Sequence, residues 1–120
     1  MKYMIMMFGD AGTMMETKSP EWIREMIAFM NTFNDDITKS GELVAAEGLV
    51  DSTQARTVRI RNGIPVATDG PFAETKESLI GFWIVDVDSE ERAIELTSRV
   101  VEFTREPIEV RRVADEPPEV

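Results

Sequence analysis

The period of the apolar positions changes several times along the chain, and each change marks an element. Lys2 to Phe8 is a short apolar run closed by Gly9-Asp10, which predicts a buried strand. Residues 9–18 read as a loop. Ser19 then offers a helix cap, Pro20 suits the first helical position, and Glu21 favours the positive end of the helix dipole. Trp22, Met26, Phe29, Met30, Phe33 and Ile37 recur at three- and four-residue steps, which predicts a helix with its apolar face on a core and Gly41 as its stop.

Leu43 to Val50 reads as a second strand, although Ala45, Ala46 and Gly48 weaken its propensity. Arg56 to Arg61 alternates polar and apolar residues, Asn62-Gly63 is a strong hairpin signal, and Ile64 to Ala67 is the returning strand. Pro65 cannot donate to a ladder, so that strand is expected at an edge. Leu79 to Val87 is apolar on both faces and fits the centre of a sheet. Asp88-Ser89-Glu90-Glu91 resembles a capping box, with Asp88 as the cap. Ala93, Leu96, Val100 and Phe103, joined by Ile94 and Val101, form the stripe of a second helix. Ile108 to Val113 predicts a last strand, and residues 114–120 a loose acidic tail.

The order strand, helix, strand, hairpin, strand, helix, strand predicts one domain over residues 1–113. Without the hairpin it is the split βαβ pattern of an α+β, ferredoxin-like fold, an antiparallel sheet with both helices on one face. Neighbours along a strand alternate sides, so Trp83, the methionine-rich first strand and Val110 cannot all meet the helices. The other face of the sheet therefore needs cover, and a second copy of the chain is the expected partner. Two sheets packed this way make a dimeric α+β barrel with a pocket between them or at their rim.

Composition narrows the chemistry. The 120 residues are 42% hydrophobic and 30% charged, with room for one core. No apolar run approaches the roughly 20 residues of a spanning helix, and the N-terminus lacks the features of a signal peptide, so a cytoplasmic, membrane-free protein is expected. Without cysteine there is no thiolate nucleophile or zinc-thiolate site, and without histidine no imidazole base. A net charge of −10 argues against a nucleic-acid partner, and Arg111-Arg112 is the only adjacent basic pair.

Asp69-Gly70-Pro71-Phe72-Ala73-Glu74-Thr75-Lys76-Glu77 is the densest cluster of functional residue types. Gly70 and Pro71 shape a turn, and Phe72 is a natural anchor for it. With this motif go Lys2-Tyr3-Met4, Gly41, Glu47-Gly48-Leu49, Thr57-Val58-Arg59, Gly81-Phe82-Trp83 and Glu109-Val110-Arg111. Together they closely resemble the DGPF family, grouped with the YCII-related domains, over residues 1–113. The resemblance implies a dimeric ferredoxin-like α+β barrel. Many YCII-related domains carry a His–Asp pair and are suspected enzymes, and one relative is a dehydrochlorinase of chlorinated aromatics. This chain has no histidine, so that pair does not carry over. Some DGPF proteins are encoded beside, or fused to, extracytoplasmic-function sigma factors, which implies an alternative role as a non-catalytic regulatory accessory meeting a protein partner.

Asp69 is the leading candidate as a catalytic or ligand-binding carboxylate, provided burial beside Phe72 and Trp83 raises its pKa. Glu47, next to Gly48, is a second candidate acid or base. Lys76, with Glu74 beside it, and Arg59 are candidate substrate-binding groups. Asp10 could join Asp69 and Glu47 in an acidic cluster, but no calcium-loop spacing is present and no metal ligand is assigned. Met14 and Met15 are the loop methionines placed to line an apolar pocket. No cofactor motif occurs, since Gly9-Asp10-Ala11-Gly12 lacks the spacing of a phosphate-binding loop.

Overall fold

The first helix follows its sequence signals closely. In the computed structural model, which describes residues 1–10, 16–71 and 78–119, helix α1 runs Pro20–Lys39. The Ser19 hydroxyl accepts from the Trp22 N–H at 3.0 Å. At its other end Gly41 takes φ +79°, and the Gly41 and Glu42 amides donate to the Thr38 and Ile37 carbonyls. That paired closure stops the helix where the sequence puts its glycine.

Strands β1 (Lys2–Gly9), β2 (Leu43–Gly48), β5 (Ser78–Asp86) and β6 (Glu109–Arg112) form one antiparallel sheet in the order β2-β5-β1-β6. Helix α2 (Glu90–Thr104) enters between β5 and β6. The architecture is α+β and compatible with a ferredoxin-like fold. Among the described residues, strands β3 (Arg56–Arg61) and β4 (Ile64–Asp69) pair only with each other, as a two-stranded ribbon. Its turn puts Asn62 at φ 51° and Gly63 at φ 77°, the doubly positive geometry that an Asn-Gly pair adopts at low cost.

Both helices cover one face of the sheet. Tyr3, Ile5, Trp83, Val85, Phe33, Ile37, Leu96 and Val100 are buried there, the last of these with no exposed surface. Phe33 meets the Trp83 ring edge-on at 5.5 Å between centroids, and Trp83 Nε1–H donates to Asn34 Oδ1 at 2.7 Å. Trp83 and Val110 both pair with Ile5, so both lie on this covered side, and the residues turned away are Met4, Met6, Phe82 and Ile84.

Two details depart from the sequence reading. Ser89, not Asp88, caps α2, accepting from the Arg92 N–H at 3.1 Å, because Ser89 has the extended backbone a cap needs. Ile94 lies on the outer side of α2 and is 51% exposed, while Thr97 takes a buried place and satisfies its hydroxyl on the Ala93 carbonyl. An ion pair ties α2 to the β2 edge, with Arg92 donating through Nε and Nη2 to both Glu42 oxygens at 2.9 Å. Those hydrogen bonds hold the Glu42 carboxyl below its ordinary pKa against the opposing effect of burial.

Candidate functional site

The hairpin and the turn that follows it are locked together by four groups. Gly70 has φ +95°, a backbone conformation that side-chain-bearing residues resist. Its N–H donates to the Ala55 carbonyl at 2.8 Å, and its carbonyl accepts from the Thr57 hydroxyl at 2.8 Å. The Thr68 hydroxyl returns a bond to the Thr57 carbonyl at 3.0 Å. With both polar groups of Gly70 held, the direction of Asp69 is set by β3.

That direction is outward. Asp69 is the last residue of β4, opposite Arg56 in the ladder, and its carboxylate meets Arg56 Nε at 3.2 Å. Its side chain is 94% exposed. The expected burial beside Trp83 is therefore corrected: Trp83 lies beneath the helices against Phe33. Phe72, Glu74 and Lys76 fall outside the described residues, as do Met14 and Met15.

A cavity of about 530 Å³ opens beside this turn, with Leu49, Val50, Asp51, Arg56, Pro71 and Leu79 among its walls. The register pairs Leu79 with Phe8, on the sheet face away from the helices. Asp51 is occupied structurally, since its carboxylate accepts from both the amide and the hydroxyl of Thr53. Arg56 is thus the cationic wall of this cavity among the described residues, with Asp69 as its counter-ion.

The other sequence candidates lie elsewhere. Arg59 sits in mid-ribbon opposite Val66 and is exposed. Glu47 pairs with Phe82, so alternation turns its side chain to the uncovered face, while its residue forms part of the edge of a second cavity. Among the described residues no group of three or more acidic side chains could hold a metal ion, so Asp10, Glu47 and Asp69 do not converge.

The second cavity, about 360 Å³, lies between α1 and the β2–β5 end of the sheet, beneath Met26 and Met30 and beside Trp83. Asn34 also lines it. Sequence reasoning missed Arg56 and Asn34. Arg56 opens an alternating strand like any solvated arginine, and Asn34 is polar only by one turn's offset from the apolar stripe. The available signal was Gly81 within an otherwise apolar strand, which marks close approach or missing bulk.

The sequence model of the YCII-related domain matches residues 1–116. The chain is also similar to an uncharacterized protein of Rhizobium meliloti (strain 1021), 30% identical over 99 residues, which covers 79% of this chain and 76% of the relative.

Proposed function

This chain belongs to the YCII-related domain family, and from that premise we propose that it is a homodimeric small-molecule-binding protein whose ligand sits beside the turn at Asp69-Gly70-Pro71. The observation that carries the reading is the cavity against Pro71, walled by Arg56 and by Leu79 of the uncovered sheet face. Its turn is rigid, which suits a preorganised site, and a guanidinium beside a carboxylate offers both a donor fork and a base. With no histidine or cysteine in the chain, proton transfer at this turn would rest on Asp69, since Glu47 and Arg59 lie away from it.

Assembly follows from the same surface. Phe8, Leu49, Val50, Val58, Ile60 and Ile64 are all exposed in the single chain. Isolated exposed apolar residues are ordinary, but this set takes in the ribbon, the segment after β2 and the end of β1. The Cα radius of gyration, 16.7 Å, also exceeds the roughly 14 Å of a compact domain of this length. A second copy packed on the uncovered face buries that surface and closes the mouth of the cavity.

Two measurements test this. Light scattering at micromolar concentration is expected to give twice 13.6 kDa, and a monomer mass overturns the assembly. An NMR screen with small aromatic and aliphatic acids, phenols and amines is expected to shift the Arg56, Thr57 and Gly70 amides. Fragments that bind only elsewhere on an intact dimer overturn the placement of the site.

A further inference from the structure

The cavity beneath α1 exists because three helix-facing positions on adjacent strands carry almost no side chain. Ala46 pairs with Trp83 and Gly48 with Gly81, so all four lie on the covered face. Above them α1 contributes Met26, Met30 and Asn34, one turn apart in succession. A Cβ added at Gly48 meets nothing within 4 Å, whereas one at Gly81 would come within 3.2 Å of the Glu47 carbonyl. Bulk is thus excluded at Gly81 by the neighbouring backbone, and at Gly48 space has been left open.

We propose that this space is a second binding site, distinct from the turn at Asp69, for a flat, uncharged molecule that carries one hydrogen-bond acceptor. Its size falls within the range of small-ligand pockets. The walls are methionine thioethers, the Ile80 side chain and the Trp83 indole, a polarisable surface that adapts to a ring. Glu47 is the charged residue of the lining among the described residues, and alternation turns its carboxylate to the opposite face. An ionised ligand would therefore lose its hydration without a counter-charge, so the site selects neutral molecules.

Asn34 supplies the polar reading. The indole Nε1–H can only donate, so the oxygen of the Asn34 amide must face it, and the 2.7 Å bond fixes that orientation. The amide nitrogen is then the group Asn34 can offer a ligand, and it donates. An acceptor such as a ketone or ester carbonyl is what it recognises.

Three naphthalene probes of one shape test the site by titration on the dimeric or monomeric full chain: 2-acetonaphthone, naphthalene and 2-naphthoate. The ketone is expected to bind most tightly and to shift the Trp83 indole and the Gly48 and Gly81 amides while leaving Gly70 unmoved. The naphthoate is expected at least about tenfold weaker. Gly48→Leu, which enters open space, is expected to abolish ketone binding. Asn34→Asp keeps an acceptor for Trp83 and removes the donor, so it should reduce ketone affinity to that of naphthalene while the indole N–H stays hydrogen-bonded and slow to exchange. Equal binding of ketone and naphthoate, unchanged affinity in both variants, or shifts confined to Gly70 would each overturn the proposal. Only the last of these would at the same time favour the site at the turn.

Discussion

Val85 and Ile60 are both β-branched residues in strands, yet Val85 is wholly buried and Ile60 is 69% exposed. The difference lies in what each strand faces. Val85 sits in a sheet roofed by two helices, while Ile60 shares a ribbon face with Val58, Pro65 and Ala67 that is left exposed among the described residues. On that ribbon face the sequence has spent apolar residues without using them in its own core. The covered region explains why the chain folds; the bare region is the surface on which the proposed second copy would pack.

The comparison breaks first at Phe33. Truncation of this fully buried ring, Phe33→Ala, should cost about 3–5 kcal/mol and lower the melting temperature sharply, because the surrounding core cannot close on the space. In the ribbon the equivalent insult should act on association instead. Val58→Lys with Ile60→Lys is expected to convert a dimer to monomer, a loss of about 2–4 kcal/mol in assembly, while the circular-dichroism spectrum stays folded. A double variant that remains dimeric would show that the ribbon is merely solvated.

The tie between α2 and β2 tests the covered side more gently. Glu42 is bonded by Arg92 and has its pKa held down, so its stabilisation is complete above the unfolded carboxyl value near 4.3 and is lost as pH falls through the lower folded value. Glu42→Gln should cost about 1.5 kcal/mol at pH 7 and flatten the urea midpoint against pH below roughly pH 4. The smallest effect belongs to Asp69→Asn. Its carboxylate is so exposed that the melting temperature should hold within error, leaving any loss of ligand affinity as a clean sign of function.

Local signals made most of the fold legible. Ser19, Pro20 and Gly41 bracket α1 because capping is settled within four residues, and Asn62-Gly63 sets the ribbon turn for the same reason. The site was less legible because its geometry depends on distant partners. Asp69 points outward since Ala55 and Thr57 hold Gly70, and the burial expected from its apolar neighbours never arises. Asn34 becomes informative only when Trp83, far along the chain, reaches it. Residue type and spacing name candidates, and tertiary contacts decide which of them can meet.

The strand order has a kinetic consequence. β1 is hydrogen-bonded on both sides, to β5 and to β6, with Lys2 opposite Asp86 and Tyr3 opposite Arg112. β1 therefore has no sheet partner until β5 (Ser78–Asp86) has emerged, whereas the β3–β4 ribbon can close on a microsecond scale by itself. Folding should be governed by these long closures and run in milliseconds to seconds. Throughout that wait Met4, Ile5, Met6 and Met7 form an unpaired apolar segment, the place where aggregation or a chaperone competes with the native sheet.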